Sequence, residues 1–333
     1  MASLSQIAQH AQVSKSTVSL VLNNRPHVSR QMRERVLKAV AELNPGRVSP
    51  RNGSRTNANV LLIHPLSMGS HQVFRELLQG VRSAVIDEAH GQLTLAAHDP
   101  PLRPDHATSA LLHDPALRPD GVIVMAAEEE DPIIAEALGE GLPCVLLARQ
   151  HGPVGTSVVG MDNTAGARAA VAHLIERGHR RIAFIGGDAA FDYTDLRIAG
   201  YRDAMEEAGL MPRCILGEGD SATRELVETG PTATSFPTAL LYVNDEHAAR
   251  GLPILQSAGL RVPKDISVIG FDDSDNAVMC QPQLTSVRVP RYLIGRLAGR
   301  TVLDHIQYRE FEHATVLLRT ELVIRESVAD AER

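Results

Sequence analysis

Nine Lys or Arg side chains (Lys15, Arg25, Arg30, Arg33, Arg35, Lys38, Arg47, Arg51 and Arg55) fall in the first 59 residues, against two acids, Glu34 and Glu42. That segment carries +7 and residues 60–333 carry −14, so the overall −7 hides a basic head on an acidic body. Such a head attracts a polyanion at one end of the molecule while the remainder repels it. Sequence signatures of covalent or redox chemistry are missing. There is no Gly-x-x-x-x-Gly-Lys-Ser/Thr loop, Gly-x-Ser-x-Gly elbow or Gly-x-Gly-x-x-Gly turn, and Gly186-Gly187 alone carries no information. Cys144, Cys214 and Cys280 lie far apart, with no Cys-x-x-Cys pair and no His-rich neighbour. They read as reduced thiols in a cytoplasm, and neither a metal nor a cofactor is expected.

The elements that must position these groups can be read from the hydrophobic pattern. At 333 residues with 44% hydrophobic and 22% charged, the chain reads as a soluble protein of two or three packed units. No run approaches the ~18 apolar residues of a membrane span, and the start Met1-Ala2-Ser3-Leu4-Ser5-Gln6 lacks the basic and apolar blocks of a signal peptide. Ser3 and Gln6 form a capping-box pattern ahead of Leu4, Ile7, Ala8 and Ala11 on one helical face. After the break at Gln12-Val13-Ser14, Ser14 caps a second short helix with Val18, Val21 and Leu22. Ser29 caps a third with Met32, Val36, Leu37, Val40 and Leu43. Three short helices, the first two joined by a three-residue turn, make a helix-turn-helix module.

Residues 45–59 hold two Pro, two Gly and no large apolar side chain, the texture of a linker. From Val60 onward, apolar strands at 60–63, 93–97, 121–125, 144–147, 182–185, 239–243 and 267–271 alternate with amphipathic helices at 73–89, 165–177, 196–208, 246–258 and 292–306. Solid apolar runs are what parallel strands covered on both faces require, and the length implies two α/β lobes with a cleft between them. Ligands in such folds sit outside the carboxyl ends of the strands.

The chain resembles the lactose-repressor/galactose-repressor family of bacterial transcription regulators over nearly its whole length. The head carries Val13-Ser14-Lys15-Ser16-Thr17-Val18-Ser19, Val21-Leu22-Asn23, and Val28-Ser29 leading to Arg33-Glu34-Arg35-Val36. The body carries Asp162-Asn163, Gly166, His173-Leu174, Gly178-His179, Arg197 with Gly200-Tyr201, Asn244-Asp245, Val262-Pro263, Gly270-Phe271-Asp272-Asp273, and Pro282 with Leu284-Thr285. The resemblance implies an all-α helix-turn-helix headpiece on an α/β two-lobed core like periplasmic binding proteins, built of two parallel-sheet, Rossmann-like subdomains. The expected divisions are a headpiece at 1–45, a hinge at 46–59 and an effector-binding and dimerisation core at 60–333. Within the core, one lobe spans 60–161 plus 290–318 and the other 162–289 plus 319–327. Further implied are a homodimer on a pseudo-palindromic operator in double-stranded DNA, a small-molecule effector and a cytoplasmic location on the nucleoid. Only six residues follow the tail motif ending at Ser327, too few for a tetramerising coiled coil.

By this resemblance Lys15, Ser16 and Leu20 face base edges, while Ser14, Thr17, Ser19, Asn23, Asn24, Arg25 and His27 contact phosphate and sugar. Ser14 also suits a helix cap. Leu20 stands where the family usually has Arg; it can meet a thymine methyl but cannot fork onto guanine. Gln12 replaces the usual turn glycine, at a cost of ~1 kcal/mol if its φ is positive. The hinge has no Leu between Leu43 and Leu61, and Pro50 and Gly53 oppose a helix, so a Leu wedge in the minor groove is not expected. Arg47, Arg51 and Arg55 recur every four residues and contact phosphates or enter a narrow minor groove.

In the core the expected effector residues are Ser70, His71, Gln72, Phe74, Arg149, Arg197, Asn244, Asp245 and Asp272. Amide, carboxylate and guanidinium groups together suit a polyhydroxylated ligand. Phe74 equally suits core packing, Asp245 equally suits a helix cap, and Asp273 equally suits a structural role. With no Trp and 3% aromatics, a stacking platform for sugars is poor. Arg149, Arg197 and either Arg291 or His71 would make the cleft cationic, so the expected effector is small, polar and sugar-like, with an acid or phosphate as an extension. The whole reads as a ligand-controlled repressor and not an enzyme. An α/β enzyme is the runner-up, disfavoured by the missing motifs, and a transport-type binding protein is disfavoured by the basic head and the absent leader.

Overall fold

The computed structural model describes residues 58–65, 72–98, 106–113, 118–125, 131–187, 192–230, 234–308 and 312–331, together with positions 8, 10–15, 17, 18, 32, 35, 36 and 39 near the N-terminus. The chain divides into two compact units, Met1–Thr56 and Asn57–Arg333.

In the first unit Ala8, Ala11, Val18, Val36 and Ala39 are buried, which sets the apolar faces of the helical positions inward. The second unit holds two six-stranded sheets. The first contains β1 (Asn59–Pro65), β2 (Gln92–His98), β3 (Gly121–Met125), β4 (Cys144–Leu147), β5 (Thr156–Met161) and β11 (Thr315–Leu318), in the order β11-β5-β4-β3-β1-β2 and parallel throughout. The second contains β6 (Ile182–Ile185), β7 (Arg213–Ile215), β8 (Ala239–Tyr242), β9 (Ser267–Asp272), β10 (Thr285–Arg288) and β12 (Glu321–Val323), in the order β12-β10-β9-β8-β6-β7. Only β12 runs antiparallel, against β10.

Alternation along the strands explains why both faces are dry. Val60 and Leu62 join one buried cluster while Leu61 and Ile63 join another; Phe184 and Leu241 likewise part from Ile185 and Leu240. The covering helices of the first lobe are α1 (Gln72–Arg82), α2 (His106–His113), α3 (Pro132–Gly139) and α9 (Arg291–Gln307). Those of the second are α4 (Asn163–Glu176), α5 (Asp192–Glu207), α6 (Gly219–Glu228), α7 (Asp245–Ser257) and the short α8 (Asp275–Met279). The single helix expected over 73–89 is α1 followed by a π-helical turn, Ser83–Glu88, in which Ala89 N–H reaches back to Ala84 O at 3.2 Å. An apolar spacing cannot reveal that extra residue per turn. Helices α1 and α9 pack backbone to backbone, because a Cβ on Gly80 would strike the Tyr292 carbonyl and one on Gly295 the Leu77 carbonyl.

The chain crosses between lobes three times, at 161–163, 288–291 and 318–321. In each sheet the strand order reverses beside the first strand of the lobe, at β1/β3 and at β6/β8, the place outside whose carboxyl ends ligands sit in folds of this kind. Among the described residues no helix is long and apolar enough to cross a membrane.

Candidate functional site

In the N-terminal unit the turn before the second helical stretch is fixed from both sides. Gln12 has φ +51°, the left-handed geometry that favours glycine. Ser14 Oγ accepts from Thr17 N–H at 3.0 Å, so Ser14 is a helix cap, and its hydroxyl also lies 2.8 Å from that of Thr17. Arg35 donates to the Ala11 carbonyl at 2.9 Å and ties its own helical stretch to the turn. Lys15 is exposed. Ser16, Ser19, Leu20, Asn23, Asn24, Arg25, His27, Arg47, Arg51 and Arg55 lie outside the described residues, as do Ser70 and His71.

Four of the described effector candidates lie at the carboxyl ends of strands: Arg149 just beyond β4, Asn244 and Asp245 beyond β8, and Asp272 at the end of β9. Arg197, on α5, is the centre of the group. Its Nε donates to Asn163 Oδ1 at 2.9 Å, Nη1 to the Val243 carbonyl at 2.5 Å and Nη2 to Asp272 Oδ1 at 3.4 Å. The guanidinium lies over the Phe271 ring at 3.7 Å and faces the Tyr193 ring at 5.0 Å. Burial pulls its pKa down, and the Asp272 carboxylate opposes that pull. A planar cation held between rings and fixed by three acceptors is pre-organised. Asn163 and Tyr193 were missed in the sequence. Tyr193 stands four residues before Arg197 on one helix, a spacing that does signal a shared face.

Asn244 caps α7, its Oδ1 accepting from His247 N–H at 2.9 Å. The cap expected of Asp245 therefore belongs to its neighbour, because Asp245 is already helical. Asp245 is fully buried: Oδ1 accepts from Ser286 Oγ at 2.6 Å, and Oδ2 from Ser274 N–H at 2.7 Å and Ser274 Oγ at 3.0 Å. Burial first, and the Asp272 charge second, push its pKa up to about 7. Its oxygens are spent on holding the loop after β9. Asp273 does the same work from outside, accepting from Arg288 Nε at 2.7 Å and Arg325 Nη2 at 2.5 Å.

Phe74 packs into the main apolar cluster with its ring 4.4 Å from that of His64. Arg149 is 7% exposed. Gln72 Oε1 accepts from the Asp275 N–H at 2.6 Å across the lobes, and its Nε2 donates to Glu76 Oε1 at 2.7 Å. Arg291 is buried against Glu76 Oε2 at 3.2 Å and donates to the Asp272 carbonyl. The expected surplus of cleft cations is thus offset: Arg197 pairs with Asp272 and Arg291 with Glu76. Among the described residues no cluster of three metal-binding side chains occurs.

With this geometry in place, the chain can be set beside known proteins. Residues 3–44 match the bacterial regulatory proteins of the lacI family, and residues 171–328 match the periplasmic binding protein-like domain. The HTH-type transcriptional regulator CelR of Thermobifida fusca is 32% identical over 97% of either chain. Among solved structures, a transcriptional regulator CelR–cellobiose complex is 30% identical with a TM-score of 0.70, covering 98% of this chain and 100% of that one. The lac repressor dimer bound to operator and the anti-inducer ONPF is 26% identical with a TM-score of 0.69, over 98% and 99%. The likeness runs through head and core together, and the chain belongs to the lacI family of bacterial transcription regulators: a DNA-binding regulator, not an enzyme.

Proposed function

We propose that the chain is a repressor which binds a pseudo-palindromic operator as a homodimer and whose operator affinity is set by a neutral, polyhydroxylated effector held between the lobes. The observation that carries this reading is Arg197, buried, stacked on Phe271 and bonded to Asn163 and Asp272 where the strand ends converge. Amide, carboxylate and guanidinium groups stand together there, the donor and acceptor types that sugar hydroxyls can use. Because Arg197 and Arg291 each carry an acid partner, a neutral ligand fits better than the acid or phosphate that the arginine count alone favours. Asn244, Arg149 and, beyond the described residues, Ser70 and His71 complete the set, while Gln72, Phe74 and Asp245 support it from behind.

In the headpiece, Lys15, Ser16 and Leu20 read base edges and Ser14, Thr17, Ser19, Asn23, Asn24, Arg25 and His27 hold the phosphates, with Arg47, Arg51 and Arg55 following the backbone from the hinge. This work on DNA puts the protein in the cytoplasm, on the nucleoid when bound. The test is selection of genomic fragments by the purified protein at near-physiological salt, followed by titration of the selected duplex with a panel that includes ribose and cellobiose. Enrichment of one pseudo-palindrome, with its affinity shifted by a neutral sugar, supports the reading. Retention of DNA without sequence preference, or a shift produced only by anionic ligands, overturns it.

A further inference from the structure

The loop that follows β9 is held by both lobes at once. Asp273 N–H donates to Ser286 Oγ at 3.0 Å and Ser274 N–H to Asp245 Oδ2 at 2.7 Å, both within the second lobe. The residues on either side are held from the first lobe: the Asp272 carbonyl by Arg291, and the Asp275 N–H by Gln72 at 2.6 Å. Gln72 and Arg291 share one carboxylate, that of Glu76, at 2.7 and 3.2 Å, so the two cross-lobe bonds form a single connected network. Arg291 is 3% exposed and stands at the second crossover between lobes. Asp272 is the shared member. Its carboxylate faces Arg197 in the cleft, its carbonyl faces Arg291 behind, and its φ of +107° is a geometry that a non-glycine residue keeps only when its surroundings impose it.

We propose that Arg291 is a positioning residue that makes the readiness of the Arg197–Asp272 pair and the docking of the two lobes one equilibrium. This inference rests on the effector reading above. A ligand that competes for Arg197 draws on the 3.4 Å contact to Asp272, a long and weak bond. Any turn of the Asp272 peptide then reaches Arg291 and the first lobe through a carbonyl bond that is part-buried and charge-assisted. Neither Arg291 nor Glu76 need touch the ligand.

The three consecutive amides supply the test. In full-length protein without ligand, Arg291→Met should speed exchange of the Asp275 amide by about tenfold, while the Asp273 and Ser274 amides, bonded inside the second lobe, keep their protection. Operator affinity should move in the same variant by at least about fivefold. Gln72→Leu, at the outer end of the network, is the second variant and should repeat the selective rise at Asp275 without burying a charge. An unchanged Asp275 amide in Arg291→Met overturns the proposal even if Gln72→Leu, which removes the amide's own acceptor, raises it, and so does a rise shared equally by all three amides, which marks general destabilisation. The exchange readout needs no DNA. A wild-type protein that selects no operator sinks the functional reading alone, whereas selective binding with an indifferent Arg291 sinks this one alone.

Discussion

The Arg197 guanidinium lies 3.7 Å from the centre of the Phe271 ring, and the Asp272 carboxylate that pairs with it belongs to the next residue of the same strand. One strand end therefore supplies both the face and the charge that hold the cation. Arg197→Ala should leave Asn163, Asp272 and the Val243 carbonyl short of a donor, at a cost of about 3 kcal/mol in folding stability. Thermal melting together with calorimetric titration of whichever sugar shifts operator binding checks this. Sugar binding should vanish while the unliganded variant still retains operator.

Asp245 gives a pH dependence of definite sign. Its folded pKa, about 7, lies above the ordinary 3.8, so the folded state holds this proton where the unfolded chain has lost it. The group's stabilising contribution is present at low pH, declines as pH rises through that interval and is gone above about 7. Buried His179 and the half-buried His173 and His247, whose pKa values desolvation lowers, act the other way and withdraw stability as pH falls below the usual histidine range. The difference between wild type and Asp245→Asn isolates the carboxyl. Asn can accept from Ser274 N–H and donate to a serine hydroxyl as the protonated acid does, so melting curves should converge at acid pH and the variant should be the more stable at pH 8. Equal stability differences at pH 5 and pH 8 would contradict the assignment.

What the sequence made legible divides along physical lines. Strands β3, β4 and β6 stand where their apolar runs put them, because a strand buried on both faces has no competing reading beside a turn. The short strands β11, exposed, and β12, partly exposed, carry no such signal and were not anticipated, nor were β5, β7 and β10, whose apolar runs are broken by Thr, Ser or Arg. In the site, Arg197, Asn244 and Asp272 could be chosen by type and motif. The role of Gln72 could not, since its partner is the backbone N–H of Asp275 in the other lobe. Nor could that of Arg291, whose partner on Asp272 is a carbonyl that every residue possesses. Asp245 looked like a ligand residue because its two serines, Ser274 and Ser286, meet it only after the second sheet has formed.

Gln12 keeps a left-handed backbone, φ +51°, without the freedom of glycine. Gln12→Gly should therefore raise the stability of the N-terminal unit by about 0.5–1 kcal/mol, the relief of the Cβ clash exceeding the added chain entropy. The long contact from Arg35 to Gln12 Oε1, 3.4 Å, is too weak to reverse this, because the firmer bond from Arg35 goes to the Ala11 carbonyl. Calorimetry of the full chain should show the lower-melting transition move up and the core transition stay.

Lys15 is exposed one residue after the Ser14 cap, where the helical stretch begins, and its charge serves no described ion pair. Lys15→Ala should cost about 1–3 kcal/mol in operator binding and relax the preference at one base pair in each half-site. Substituting a cation that only touches phosphate would instead weaken all sequences alike and flatten the salt dependence by about one counterion per site. Titrating a selected operator and its single-base variants at two salt concentrations separates the two outcomes. A uniform loss across those variants would move Lys15 from the base edges to the backbone and leave sequence reading to Ser16 and Leu20. Sugar binding by the core should be indifferent to the substitution, since no effector candidate lies in the N-terminal unit.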